Sequence, residues 1–332
     1  MTADRLPLHA RAFRASVVWT LGLLFLGSVV HATESSLACP DWPTCFATMV
    51  PEMTGGVFWE HLHRLVAGGL LLLWGLATWL ASREASDRPW IFRAAIAGVV
   101  LLLVQSVFGG LTVIYRLPDL VSTTHLALAF SFLALATWLA AATGGAAAGA
   151  TSARVASPLT GADFATPSSA DLPTASAGGL DLRLWAALAA ALVFAQSVLG
   201  ALVRHMDAGM ACPDAPLCLG RLVPPLVNAP IAAHFFHRVL ALVVTLAVCT
   251  LAYRVLRSGA HARLRRTALA AVALVLMQVA LGFAAVLTVL AVAPVSLHTL
   301  VAASLLGTLV HLATVAEPVR SREPRPAPAR AV

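Results

Sequence analysis

Four histidines occupy matching positions in the two halves of this sequence. They are His63, His125, His237 and His298. Each falls inside a long apolar run, where an ionisable side chain is costly and usually marks function. Two imidazoles that face each other across a helical bundle can ligate a haem iron from both sides, and a bundle in lipid can bury the apolar haem ring. Copper is less suited, because its sites usually add cysteine, methionine or a third histidine.

An acidic residue accompanies only the first of these histidines. Glu60 lies three residues before His63, so the two side chains project from one face of a helix. The matching position in the second half is His234. A carboxylate beside a haem can move protons or stabilise a developing cation; a helix N-terminal carboxylate favoured by the helix dipole is the structural alternative. The asymmetry predicts chemistry in the first half and a resident cofactor in the second.

An arginine directly follows the first histidine of each pair. These residues, Arg64 and Arg238, can form ion pairs with haem propionates at the membrane edge. Snorkelling of the side chain to the interface is the alternative role.

Two cysteine pairs share the pattern Cys-Pro-Asp-x-Pro-x-Cys, at Cys39 and Cys45 and again at Cys212 and Cys218. Both fall in segments predicted to face outward, where disulfides persist, and the prolines favour a turn that brings the sulfurs together. A structural disulfide and a redox-active pair that exchanges with a partner thiol both stay open, with the structural role favoured for the second pair. Zinc is less suited, because the spacing is wide and no loop histidine completes a site.

The elements that must position these residues are membrane-spanning helices. The sequence is 59% hydrophobic and 11% charged, whereas soluble domains carry about 25% charged residues. Its apolar runs are continuous and near the roughly 20 residues that cross a bilayer as a helix. We therefore predict an all-α polytopic membrane protein. Its eight transmembrane helices are expected near residues 15–33, 58–82, 92–115, 122–142, 183–204, 231–256, 267–291 and 297–315.

The net charge of +7 comes from arginine, since the sequence contains no lysine. The arginines cluster before the first span, between the second and third, between the sixth and seventh, and after the last. By the positive-inside rule these segments and both termini face the cytoplasm, and the cysteine pairs face outward. The clusters are orientation signals, so nucleic acid binding is not expected.

Four sequence blocks recur in the same order in both halves. The block 27–45 aligns with 200–218, and the blocks that end at Arg64, Gly109 and His125 align with those that end at Arg238, Gly282 and His298. Four spans return the chain to the same side of the membrane. The halves are therefore predicted to form two four-helix bundles related as parallel repeats.

These repeats divide the chain into four segments. They are a first bundle over 1–142, a linker over 143–181, a second bundle over 182–316 and a tail over 317–332. The linker is rich in Ala, Gly, Ser, Thr and Pro and lacks a helical stripe, so it is predicted to be a flexible cytoplasmic segment. The tail, with its Pro and Arg residues, is predicted to be similar.

The combination of these motifs resembles the bacterial haem A synthase family. The motifs are Ala38-Cys-Pro-Asp-Trp-Pro-Thr-Cys45, Glu60-x-x-His63-Arg64, His125, His237-Arg238 and His298. They occur in this order across all eight predicted spans. Members of this family oxidise the C8 methyl group of haem O to a formyl group, through successive hydroxylations and loss of water, and so supply haem A to terminal oxidases.

The resemblance implies a role for each ligand. In the first half, His63 and His125 would hold the substrate, haem O or haem A. In the second half, His237 and His298 would ligate haem b. Glu60 would be the catalytic glutamate.

The resemblance also bears on the loops. It implies disulfides Cys39–Cys45 and Cys212–Cys218, as in bacterial members with two such pairs. Family members often have an arginine ahead of the first cysteine. Here only the second half has one, Arg204, so the resemblance does not supply a propionate contact at that position in the first half.

The resemblance further implies a place in the bacterial plasma membrane. Expected partners are haem O synthase, terminal oxidase assembly factors, membrane lipid and an electron donor that the sequence does not identify; self-association stays open. Two other functions remain open from the residues alone. One is a haem b electron-transfer protein, and the other is a quinone-linked thiol oxidase, which would leave the four histidines without a role.

Overall fold

A computed structural model describes residues 6–144, 177–214 and 216–316 of the chain. Within these ranges the chain forms eight long α-helices, a short 3-10 helix at Ala208–Met210 and no β-strand. The helices are α1 Leu8–Ala32, α2 Gly55–Glu84, α3 Pro89–Ile114, α4 Asp119–Ala142, α5 Ala177–His205, α6 Ala229–Arg257, α7 Ala262–Leu287 and α8 Val292–Val315.

All eight described helices are long and apolar enough to cross a membrane. Large apolar side chains cover their outer faces, such as Val18, Leu72 and Leu242, which are 70%, 77% and 61% exposed. Such faces are unfavourable in water but match the hydrocarbon of a bilayer. The predicted all-α fold with eight membrane-spanning helices is confirmed for the described residues.

All eight described helices begin before the spans predicted from apolar runs, whereas α7 ends at Leu287, short of the predicted end at residue 291. Helix α1 begins at Leu8 rather than near residue 15, and its first turns carry Arg11 and Arg14. The difference arises because apolar length measures only the hydrocarbon core, whereas a helix continues through the polar interface.

The helices of each half pack in the same closed order. Helix α1 contacts α2, α2 contacts α3, α3 contacts α4 and α4 returns to α1, and α5 to α8 repeat this ring. The halves meet where α8 packs on α1 and α4, and where α5 packs on α4. Exchanging α1 to α4 with α5 to α8 leaves this set of helix contacts unchanged, as two parallel repeats would require. The repeat symmetry itself stays a prediction.

Most of the predicted linker 143–181 and all of the predicted tail 317–332 lie outside the described residues. At the far end of the linker, helix α5 already begins at Ala177, ahead of the span predicted from residue 183.

A buried tryptophan holds the first ring together. Trp74 is fully buried, with its ring 5.1 Å from that of Phe13 in α1 and 4.8 Å from that of Phe132 in α4. Its indole N–H donates to the Ala95 carbonyl of α3 at 2.9 Å. One side chain on α2 therefore contacts all three other helices and fixes the register of α2, about three turns from His63.

Candidate functional site

Each of the four predicted ligand histidines packs against a glycine of the preceding helix. A Cβ atom on these glycines would lie 2.8–3.3 Å from Cε1 of the facing imidazole. The pairs are Gly27 with His63, Gly109 with His125, Gly200 with His237 and Gly282 with His298. Only a residue without a side chain lets the ring approach the neighbouring backbone this closely.

The structure also brings the predicted partners of each half near each other. His63 and His125 lie within electrostatic range, and so do His237 and His298. Each half therefore has two imidazoles on alternate helices of its ring, α2 with α4 or α6 with α8.

The hydrogen bond of His125 suits a metal ligand. Its Nδ1 lies 3.1 Å from the carbonyl oxygen of Gln105, which can only accept, so Nδ1 carries the proton. The neutral ring then presents the lone pair of Nε2, as ligation of an iron requires. The Gln105 side-chain amide lies 3.4 Å from this nitrogen.

The other histidines differ in their Nδ1 partners. Nδ1 of His63 and of His298 is buried and has no hydrogen-bond partner within the described ranges. The Gln278 carbonyl lies near His298 but falls short of hydrogen-bond geometry. Nδ1 of His237 accepts from the side-chain amide of Gln196 at 3.1 Å. A His237 tautomer with its proton on Nδ1 would not make this bond, because the side-chain amide N–H of Gln196 can only donate.

Glu60 is buried against the first cysteine loop. The residue is 4% exposed, and its Oε2 accepts the backbone N–H of Cys39 at 2.8 Å. Its Oε1 forms an ion pair with Nη2 of Arg64 at 2.5 Å. The carboxylate is thus fixed between its own helix and the outward loop, one turn from His63.

Arginines clamp the cysteine loops in both halves. Arg64 Nη1 donates to the carbonyls of Asp41 and Thr44, at 2.8 and 2.6 Å. At the matching positions, Arg238 Nη1 donates to Asp214 and Leu217, at 2.7 and 2.6 Å. The halves differ at Nη2, which in the second half donates to the Cys212 carbonyl instead of a carboxylate.

The residue that replaces Glu60 in the second half is also buried and also bonded to its loop. His234 is 5% exposed, and its Nδ1 donates to the carbonyl of Ala208 at 2.9 Å. Glu60 and His234 therefore have equivalent positions and each contacts its own loop, but one is a carboxyl group and the other an imidazole.

Both cysteine pairs are disulfide-bonded, between Cys39 and Cys45 and between Cys212 and Cys218. All four residues are at most 2% exposed. A thiol of a partner protein reaches a buried disulfide poorly, so the burial favours a structural role over redox exchange.

The carboxylate of Asp41 organises the first loop. It accepts hydrogen bonds from the Thr44 hydroxyl and from the backbone N–H groups of Phe46 and Ala47, the latter two at 2.7 and 3.0 Å. These bonds, that of Thr44 above all, hold the pKa of Asp41 below its usual value. Because the folded pKa is depressed, the stabilisation is complete above the unfolded pKa and is lost only as pH falls through the folded one. The loop is therefore expected to be insensitive to pH near neutrality.

A second pair of histidines connects the two halves. The rings of His31 in α1 and His205 in α5 stack at 4.9 Å with an angle of 15° between their planes. Arg204 donates to the His31 carbonyl at 3.2 Å and lies 3.5 Å from a carboxylate oxygen of Glu34. Arg204 aligns with His31 in the repeat, and in the structure it contacts the backbone of His31 and the side chain of Glu34.

The family model of cytochrome oxidase assembly proteins matches residues 52–310, which include all four predicted ligand histidines and Glu60. The chain belongs to this family. The match starts before α2 and ends within α8, so it includes the second ring and the loop that contacts Arg238 but leaves out α1 and the loop that contacts Arg64.

Curated relatives extend the similarity to nearly the full chain. A protein named heme A synthase from Symbiobacterium thermophilum is 31% identical over 318 residues, 94% of this chain and 96% of the relative. Proteins of the same name from Halalkalibacterium halodurans and Shewanella oneidensis are 29% and 26% identical, over 88% and 90% of this chain and 92% and 93% of theirs.

Several residues of the site were not predicted from the sequence. The four glycines that pack against the histidines are at matching positions of the aligned blocks, so their recurrence could have identified them. Gln196 and the His31–His205 stack carry no such signal, because Gln196 has no counterpart in the first half and the stack depends on how the halves dock.

Proposed function

We propose that this protein is a haem A synthase that oxidises the C8 methyl group of haem O to a formyl group. The observation that carries the proposal is the inequality of two otherwise matching sites. Each half offers two imidazoles against glycines, but only the first adds a buried carboxylate one turn from a ligand. The name that the curated relatives share supports the same activity.

The first half is proposed to bind the substrate, haem O. His63 and His125 would hold its iron; the bond from Nδ1 of His125 to the Gln105 carbonyl sets the tautomer that ligation through Nε2 requires, and the Gln105 side-chain amide would move away from Nε2. Glu60 is proposed as the catalytic residue. Paired with Arg64, its carboxyl group is placed to accept a proton or to stabilise positive charge as the methyl carbon is oxidised.

The second half is proposed to bind haem b through His237 and His298. The residues fit this group, because the two imidazoles lie near each other and each packs against a glycine of the preceding helix. When bound, haem b would supply one-electron transfer. The stack of His31 and His205 would hold α1 and α5 together between the two sites.

Arg64 and Arg238 remain proposed propionate partners. Their Nη1 atoms are committed to two loop carbonyls each and their Nη2 atoms to one acceptor each, so the Nε–H group and the second Nη2–H group are the donors left for a propionate. The loop clamp and a propionate contact are compatible on one guanidinium, because its five N–H groups point in different directions.

The protein is proposed to lie in the bacterial plasma membrane with both termini in the cytoplasm. The arginine-rich connections support this orientation, and the disulfide loops then face the oxidising side. The partners proposed from the family are haem O synthase and terminal oxidase assembly factors, with an electron donor of unknown identity.

The activity can be tested in a bacterial host that makes haem O but not haem A. Expression of the full chain is expected to convert part of the haem O to haem A, identified by mass analysis of extracted haem. A membrane preparation with the chain present and haem B and haem O unchanged would contradict the proposal.

We expect Gly200→Ala to lower the haem B content of the purified protein. The added Cβ would lie 2.8 Å from Cε1 of His237, and overpacking of this kind costs about 1–3 kcal/mol. Pyridine haemochrome spectra measure the loss.

Gly22→Ala is the matched control, because a Cβ there meets nothing within 4 Å. Its only expected effect is a gain of roughly 0.5–1 kcal/mol in helix stability. Equal haem B content in the two variants would contradict a role of Gly200 in seating His237.

Arg64→Gln and Arg238→Gln separate the loop clamp from the carboxylate contact. Arg64→Gln removes two bonds to loop carbonyls and the cation paired with Glu60, whereas Arg238→Gln removes three bonds to loop carbonyls and no ion pair. A misplaced catalytic group costs roughly 10²-fold in rate, so haem A formation is expected to fall much further with Arg64→Gln. Similar losses in the two variants, measured as haem A per mole of protein, would assign Arg64 to the loop alone.

A further inference from the structure

A cleft of about 550 Å³ lies between the two halves, at the ends of the helices opposite the disulfide loops. We call it the basic cleft. Its polar lining consists of Arg14, Thr137, His261, Arg263, Thr267 and His311. The volume is within the roughly 300–1,000 Å³ of small-ligand pockets.

The basic cleft carries positive charge without a counter-ion from the described residues. Arg14 of α1 and Arg263 of α7 come from different halves, and neither forms an ion pair within those residues. His311 lies within electrostatic range of both. Since no described acidic residue lines the cleft, its field attracts an anion.

One residue in the wall of the cleft has a buried hydroxyl without a partner. Thr137 is 7% exposed, and its Oγ1 is buried with no hydrogen bond among the described residues. Other buried threonines, such as Thr20 and Thr78, donate to the carbonyl four residues earlier. An unsatisfied buried donor is unfavourable, and rotation of the Thr137 side chain toward an acceptor in the cleft would satisfy it.

We propose that the basic cleft binds the phosphate headgroup of an anionic phospholipid. Arg14 and Arg263 would pair with the phosphate, and Thr137 would donate to one of its oxygens. Val17 and Val315 line the cleft as well and offer an apolar wall that an acyl chain covers and a free phosphate does not. Basic pockets between membrane helices are typical sites for lipid headgroups. A lipid bound there joins α1 and α4 of the first half to α7 and α8 of the second.

The test uses the full chain purified in a neutral detergent and stripped of lipid. Binding of phosphatidylglycerol is measured by native mass spectrometry, in parallel with phosphatidylcholine and with inorganic phosphate. We expect phosphatidylglycerol to bind and to raise the unfolding temperature, and the other two to have little effect.

Arg14→Gln with Arg263→Gln is expected to weaken phosphatidylglycerol binding by roughly 10-fold or more, since each arginine near an anionic lipid contributes substantially. The matched control is Arg11→Gln with Arg265→Gln, which removes two exposed arginines from the same helices but outside the cleft lining. This control is expected to change binding by less than about 2-fold. Thr137→Val, a variant of nearly equal volume, is expected to weaken binding without loss of charge.

Three results would overturn the proposal. One is an equal loss in the cleft variant and its control, which would mean that the lipid senses net charge only. Another is equal binding of phosphatidylcholine. The third is stabilisation by inorganic phosphate that matches the lipid, which would make the cleft a site for a free anion. Bound haem B in each variant reports whether it has folded.

Discussion

Replacing Glu60 with glutamine is expected to lower haem A formation by roughly 10²–10⁴-fold, with haem O accumulating in the membrane. The substitution keeps the size of the buried side chain but removes its charge, and the single amide oxygen can accept from Cys39 or from Arg64 but not from both. Haem B content is expected to stay near that of the unchanged protein, because His237 and His298 belong to the other ring. Mass analysis of extracted haem gives all three quantities from one sample.

The matched control is His234→Gln, which alters the same position of the second half. Glutamine can still donate to the Ala208 carbonyl that His234 now contacts, so folding and haem A formation are expected to be largely kept. If Glu60→Gln produced haem A as the unchanged chain does, Glu60 would be a structural anchor of the loop, and the catalytic assignment would be wrong.

The second large effect is expected from substitution of the proposed ligand histidines whose Nδ1 atoms have no hydrogen-bond partner among the described residues. Loss of a residue that hydrogen-bonds a metal ligand lowers metal affinity by roughly 10–100-fold. His298→Ala removes the proposed ligand itself, so the haem B content is expected to fall by at least this factor. Nδ1 of His298 makes no hydrogen bond with the described residues, although the Gln278 carbonyl lies near the ring, so the change removes the proposed ligand with little loss of hydrogen bonding in the fold. The purified protein is assayed by its pyridine haemochrome spectrum.

His63→Ala is the counterpart in the first half, and its Nδ1 is likewise unpartnered among the described residues. It is expected to keep haem B and to stop haem A formation. The opposite pattern, with haem B lost from His63→Ala and kept in His298→Ala, would reverse the proposed assignment of the two halves.

Helix number and type could be predicted because apolar length is a property of the chain alone. A run near 20 apolar residues has few options in lipid other than a helix, and the predicted spans differ from α1 to α8 mainly at their polar ends. The four histidines could be found for a similar reason. An ionisable residue inside such a run stands out, and recurrence in a second half marks it further.

Contacts of the same residues could not be predicted, because they depend on neighbours distant in sequence. Arg64 illustrates this limit. Its position beside His63 suggested a propionate, but the loop 39–48 folds back over α2 and places two carbonyls on Nη1. A guanidinium binds whichever acceptors the packing brings to it, and sequence spacing does not specify them.

The sequence by itself determined the eight helices, the two histidine pairs and the carboxylate that makes the halves unequal, since each follows from residue type and period. Only the tertiary structure decided what these residues touch. It places each imidazole on a glycine, Glu60 between Arg64 and the Cys39 amide, and two arginines and Thr137 around one cleft. The physical reason is that hydrogen bonds and close packing act over a few ångströms, so they exist only where the rings of helices and their loops dock.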